Sequence, residues 1–352
     1  MPTNPLDGLY RRVARKVLTE TLHVKKGEAI TVETWNTGLD FATRMVAEAR
    51  SMGCTAIMIL EDEDAYVEGV RRAPKDWVGV MGKNEYNMLA GTDAYVFVPG
   101  PVISAYSKRL TAPERDESTR YNSSWYDAAE KAKLRGARLS FGYIGKDLAR
   151  MLGKSITQAA EGQLKAALVD FGEVSKAAGA LEARLTDGAE VMVESGDATL
   201  SFNLKGELDS QDGLVDDRDV SVGNNMAYVP PGFVSKGVDP NSVDGRLKMS
   251  PTLTRLGVVS DAEFEFKEGR LVTWKSGDRA KLTKLLDPIP EDKRRLSVMG
   301  IGLNPAMKYG FGQDRFVGGA VTLGGLGFSA VVRRGTVSTS DGALLRDGKL
   351  LS

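Results

Sequence analysis

A chain with one histidine, His23, and one cysteine, Cys54, has few routes to nucleophilic or metal chemistry. A multi-histidine zinc or iron site within the chain is excluded. No intrachain disulfide can form, and any cysteine–histidine or serine–histidine dyad has to use that single imidazole. His23 stands in TETLHVKKGEAITV, between a helical stretch and a strand, where a boundary role is expected. Cys54 opens the apolar run CTAIMIL and belongs to the core. Carboxylates, serines and lysines remain. Glu61, Asp62 and Asp64 follow a strand, at the edge where open α/β sheets bind ligands and where acidic residues also cap helices. The run DSQDGLVDDRD (209–219) lacks the spacing of a calcium loop and reads as a solvated loop. In GIGLNP, Asn304 precedes Pro305, with Lys308, Asp314 and Arg315 close behind; these groups can line a pocket or form a plain loop. Ser338 or Ser340 with Lys308 would make a serine–lysine hydrolytic pair, if burial lowered the lysine pKa. Asp314 or Asp341 would serve as a carboxylate base. Asp239, Asp244, Asp314 and Asp341 are the oxygen-only set that would suit Mg²⁺ or Ca²⁺, although each lies at a loop-like position.

The elements that must position these groups change character along the chain. In the first half, helical spacing (7–22) leads into a turn and strand (VKKGEAITVET). A helix closed by Gly53 then leads into the apolar strand CTAIMILED. AYVFVPGP ends a buried strand, SWYDAAEKAKLRG is a helix, ARLSFGYI is the next strand, and 155–178 is largely helical. Strands separated by helices predict a mostly parallel, doubly covered sheet. Beyond about residue 182 come short alternating segments joined by glycine turns such as TDGA, KEGR and RDGK. These predict an antiparallel β domain, interrupted by a helix at GDRAKLTKLLD. The expected fold class is thus an α/β amino-terminal domain (1–180) with a mostly parallel sheet, followed by a mainly antiparallel β domain (181–352). The glycine-rich GGAVTLGGLG (318–327) lacks the lysine–serine/threonine ending of a phosphate loop; close backbone approach is its expected role.

At 352 residues, the chain is long enough for two domains. Lys plus Arg equals Asp plus Glu at 47 each, so no global field favours nucleic acid or anionic lipid. No apolar run approaches the ~20 residues of a membrane span. The opening MPTNPLDGLYRR lacks a signal-peptide core, so a cytoplasmic protein is expected.

Five stretches taken in order resemble the thermophilic metallo-aminopeptidases of the aminopeptidase T and S type: GAEVMVESGDATLSFNLKG, GNNMAYVPPGFV, EFEFKEGRLVTW, RRLSVMGIGLNP and GGAVTLGGLG. LHVKKGEAITVE and SMGCTAIMILED are similar to that family's amino-terminal domain. The resemblance implies a dinuclear metal site in the β domain, held by glutamates, histidines and an aspartate. Its first glutamate follows a Pro-Thr-Gly or Pro-Thr-Glu turn; here Pro230, Pro231 and Gly232 lead into Phe233. The second glutamate's segment reads Leu296, Ser297, Val298. Ala320 or Val321 stands for the first histidine, and Ser338 and Ser340 stand for the closing His-x-Asp pair. These departures from the family pattern imply the family fold with no metal and no cofactor held. The cleft inherited between the domains would bind a small molecule or peptide end through Tyr228, Phe233, Asn304, Lys308, Ser338 and Ser340. Reassigned hydrolytic chemistry and a structural or regulatory partnership with an active relative are the alternatives. A homodimer is implied.

Overall fold

The computed structural model describes residues 4–101 and 110–351. The chain forms two compact units: Met1–Leu168 with Gly213–Pro230, and Val169–Asp212 with Pro231–Ser352. A single division near residue 180 was expected, inside SKAAGALEA at the end of the helical run 155–178. That run is two helices, α7 (Ile156–Ala166) and α8 (Phe171–Glu182), separated where Asp170 caps the second by accepting Glu173 N–H at 3.1 Å. The units divide in this gap.

The first unit carries a parallel sheet in the order β2–β1–β3–β4–β7. Its strands are β1 (Ala29–Trp35), β2 (Thr55–Glu61), β3 (Ala94–Val98), β4 (Arg135–Leu139) and β7 (Met226–Val229). Every neighbouring pair is parallel. The helices before α7 are α1 (Asp7–Lys16), α2 (Leu39–Ser51), α3 (Glu63–Arg72), α4 (Lys83–Ala90), α5 (Ala112–Lys131) and α6 (Lys146–Met151). In α2, Phe41, Ala42, Met45, Val46 and Ala49 recur at helical spacing and are buried. Helix α5 begins about a dozen residues before SWYDAAEKAKLRG, because Thr111 and Glu114 form a capping box around Pro113. The last strand of this sheet comes from the Gly213–Pro230 segment, after a short helix α9 (Asp217–Ser221). The run 209–219 is only partly the solvated loop expected: 209–211 end β6, 212–216 are loop, and Asp216 caps α9 by accepting from the N–H groups of Arg218 and Asp219.

The second unit is mainly antiparallel. Its strands are β5 (Glu190–Ser195), β6 (Ala198–Gln211), β8 (Phe233–Val238), β9 (Asp244–Met249), β10 (Thr252–Thr254), β11 (Gly257–Val259), β12 (Ala262–Lys267) and β13 (Arg270–Lys275). Helix α10 (Arg279–Leu286) follows at the expected place, and then β14 (Val298–Gly302), β15 (Val321–Gly324), β16 (Ser329–Val332), β17 (Thr336–Thr339), β18 (Gly342–Arg346) and β19 (Lys349–Leu350). The main sheet runs β16–β15–β14–β8–β6–β5–β17–β18–β19, with β9, β12 and β13 joined beside β6. Alternating Val191, Val193, Leu200, Phe202 and Leu204 bury one face of the β5–β6 hairpin. The two-domain fold class read from the sequence is the one observed.

Candidate functional site

The PPG turn carries the chain from the first unit to the second. Gly232 adopts φ +108°, and a Cβ there would lie 2.7 Å from the Asn304 backbone nitrogen, so only glycine fits. The turn is tied on both sides: Gly232 N–H donates to Gln211 O at 2.6 Å, and Leu303 N–H donates to Gly232 O at 2.8 Å. Asn304 is fully buried and locks this corner. Its Nδ2 donates to Pro231 O at 2.8 Å, and its Oδ1 accepts from Ala306 N–H and Met307 N–H at 3.0 and 2.9 Å. Both ends of its amide are spent on backbone.

Phe233, at the start of β8, is buried. Its ring lies 5.6 Å from the Phe316 ring and beneath the Arg315 guanidinium at 5.3 Å. It also fills the space over Gly300, where a Cβ would come within 2.1 Å of the ring. Leu296, Ala320 and Val321 are buried and apolar. A ring, a guanidinium and aliphatic groups offer a divalent ion no ligand, and the guanidinium adds like charge. The residues present do not fit the dinuclear site that the resemblance implies. Among the described residues, no three His, Cys, Asp or Glu side chains gather in a way that could hold a metal ion.

The other candidates are dispersed. Tyr228 lies on β7 in the first unit, while Phe233, Asn304, Lys308, Ser338 and Ser340 belong to the second. Lys308 and Ser340 are exposed, and among the described residues no hydrogen bond joins Lys308 to either serine. Ser338 faces Met192 on β5, which faces Ser201 on β6; Phe233 faces Gln211, ten residues further along β6. Only Phe233 and Asn304 share a corner. Asp314 is a loop brace: its Oδ1 accepts Gly310 N–H at 2.8 Å, and Arg333 reaches Oδ2 at 3.3 Å. Burial raises its pKa, against the pull of that N–H and of Arg333. Asp62 caps α3 and accepts from Asn36 at 3.3 Å.

A charged pocket within the first unit escaped the sequence reading. Parallel register aligns Glu33 (β1), Phe97 (β3), Arg138 (β4) and Tyr228 (β7) in one row across the sheet. Two residues earlier, Tyr95 and Met226 line the same face. Helix α5 covers this face with Tyr121, Asn122, Trp125 and Tyr126, leaving a small pocket that opens to solvent. Tyr95 OH donates to the partly buried Glu33 carboxylate, and Tyr121 OH donates to Glu85 at 2.7 Å. Burial first, then Glu61 and Glu85, push the Glu33 pKa up to about 7, against the pull of Arg138. The Arg138 guanidinium lies 5.3, 5.4 and 5.9 Å from the rings of Phe97, Tyr143 and Tyr228. Its Nε is buried without a hydrogen-bond partner. The alternation Glu33, Phe97 and Arg138 at strand positions was the available signal. Only the strand order 1–3–4–7 makes it a row.

No family model matches the chain. A segment of 133 residues is 29% identical to a cobalt-precorrin-5B C(1)-methyltransferase of Methanocaldococcus jannaschii, covering 37% of this chain and 33% of that protein. The match thus spans about a third of that relative's length. Two solved structures share the fold over nearly the whole chain. Aminopeptidase T (AmpT) of Thermus thermophilus matches with TM-score 0.65 and 15% identity, over 99% of this chain and 100% of that one. The 2,5-dihydroxypyridine dioxygenase of Pseudomonas putida KT2440 matches with TM-score 0.63 and 11% identity, over 100% and 99%. The fold is aminopeptidase-like. No helix among the described residues is long and apolar enough to cross a membrane.

Proposed function

We propose that this chain has the aminopeptidase T fold without its dinuclear metal chemistry, and binds a small organic molecule instead of cleaving peptides. The observation that carries this is Phe233, buried against Phe316 and Arg315 at the end of the retained PPG turn. Two metals would serve a peptidase by generating hydroxide near neutral pH, and this corner supplies neither ligands nor space for them. Structures of this one fold carry the names of a peptidase and of a dioxygenase, so the fold itself selects no reaction. Small-molecule binding is supported by the first unit's pocket, which sets Arg138 and Glu33 among aromatic side chains. Titration calorimetry with Zn²⁺, Co²⁺ and Mn²⁺, paired with hydrolysis of aminoacyl p-nitroanilides, tests the reading. No stoichiometric metal uptake and no metal-dependent turnover are expected. Two bound ions with turnover would overturn it.

A further inference from the structure

The pocket beneath α5 has a chemistry specific enough to name its ligand class. Its walls are aromatic: Tyr95, Phe97, Tyr121, Trp125 and Tyr126. One cation, Arg138, and one carboxyl, Glu33, lie in the same row on opposite sides of Phe97. Their strands are separated by β3, so the two backbones stand about 9–10 Å apart, twice the strand spacing. A guanidinium stacked against aromatic rings keeps its in-plane N–H edge for a planar acceptor, and carboxylate matches that fork. Among the described residues, the buried Nε of Arg138 has no hydrogen-bond partner. The Tyr143 and Tyr126 hydroxyls interact with the guanidinium, and its Nε is the edge left for an anionic ligand.

The same lining limits what that anion is. Among the described residues, Arg138 is the one basic residue of the lining, and Glu33, Glu61 and Glu85 lie near enough to influence one another. A phosphate dianion would be under-compensated by these groups, and among the described residues no lysine or glycine-rich loop lines the pocket to cradle it. The aromatic walls select a flat apolar body, which gains from ring-to-ring contact as well as burial.

We propose that this pocket binds a small aromatic monocarboxylate, its carboxylate on Arg138, its ring between β3 and α5, and a polar substituent at its far end facing Glu33. The assignment rests on the small-molecule reading above but not on the state of the PPG corner, so a metal found there would leave it standing.

The test uses the full chain, 4-hydroxybenzoate as probe, and calorimetry with Trp125 fluorescence as a second readout. Saturable one-to-one binding is expected. Phenol, lacking the carboxylate, and cyclohexanecarboxylate, lacking the ring, should each bind about tenfold or more weakly, the scale of one lost charge-assisted or stacking contact. Arg138→Gln should abolish binding. Because Arg138 also holds the aromatic cluster, Tyr126→Ala provides a rim variant; Tyr126 is 41% exposed, and its loss should weaken binding while leaving the thermal transition in place. The proposal is overturned by no saturable binding, by equal binding of cyclohexanecarboxylate, or by binding unchanged in both variants. A preference for L-phenylalanine over 3-phenylpropionate would overturn the monoanion assignment in favour of a zwitterion.

Discussion

Asn304 separates a ligand-contacting residue from a structural clamp, because the two roles respond oppositely to substitution. Its amide makes three hydrogen bonds to backbone inside a fully buried corner. At about 1 kcal/mol net per bond, with about 1–3 kcal/mol for each buried group left unpaired, Asn304→Ala should cost roughly 3–5 kcal/mol. Asn304→Asp is the sharper probe. It keeps an acceptor for Ala306 and Met307 but sets a carboxylate against the Pro231 carbonyl, at a cost of roughly 2–4 kcal/mol near neutrality. Burial beside a carbonyl raises the folded pKa of that new carboxyl above its unfolded value. The protonated form can donate to Pro231, so stability is greatest below the unfolded pKa and is lost as pH rises through the folded one. Guanidinium unfolding of parent and variant, followed by circular dichroism near pH 4 and pH 8, should show the deficit narrowing at the lower pH. The clamp is refuted if both variants stay within about 0.5 kcal/mol of the parent at both pH values, the range of an ordinary surface substitution.

Other outcomes follow from the same contacts. Gly300→Ala drives a methyl to 2.1 Å from the Phe233 ring and should cost about 1–3 kcal/mol; Phe233→Leu in the same chain should recover part of this, and strictly additive losses in a double-mutant cycle would contradict the packing. With its Glu33 pKa near 7 against an ordinary 4.5, the parent should lose stability as pH rises between these values. Glu33→Gln should flatten that slope, by on the order of 1–3 kcal/mol after solvent screening; an unchanged slope would reject a neutral buried Glu33. Gly136→Val should displace Met226, whose Cε would lie 2.7 Å from an added Cβ, and so obstruct the first-unit pocket; unaltered 4-hydroxybenzoate binding would contradict the placement. Gly319→Ala should prevent folding of the second unit, since its φ is +79° and an added Cβ would lie 1.6 Å from Gly348 O; a normal melting transition would argue against that approach.

What the sequence showed and what it hid have physical causes. The parallel and antiparallel halves were legible because their periodicities differ: Phe41 to Ala49 repeats as a helix, Val191 to Leu204 as paired strands. The glycines of GGAVTLGGLG were rightly assigned to close approach, as Gly319 and Gly325 show against Gly348 and Arg295. The return of Met226–Val229 to the first sheet was hidden, because its partner β4 lies some ninety residues earlier and no local pattern encodes that pairing. For the same reason Tyr228 was grouped with the second unit's candidates, although its neighbour is Arg138. Asn304 was offered as a group lining a cleft, and its type could not distinguish an outward amide from one folded back onto Pro231. Ser338 and Ser340 were offered by the family resemblance with Lys308 as a conceivable partner, and among the described residues no hydrogen bond joins Lys308 to either serine.

The most direct test of the central claim is the metal content of the full chain, purified without chelator, by inductively coupled plasma mass spectrometry. With Phe233 buried against Phe316 and Arg315, zinc, cobalt and manganese should each be far below one equivalent per chain. Near-stoichiometric metal that is lost on changing the second unit's carboxylates, together with release of amino acids from aminoacyl substrates, would contradict the account.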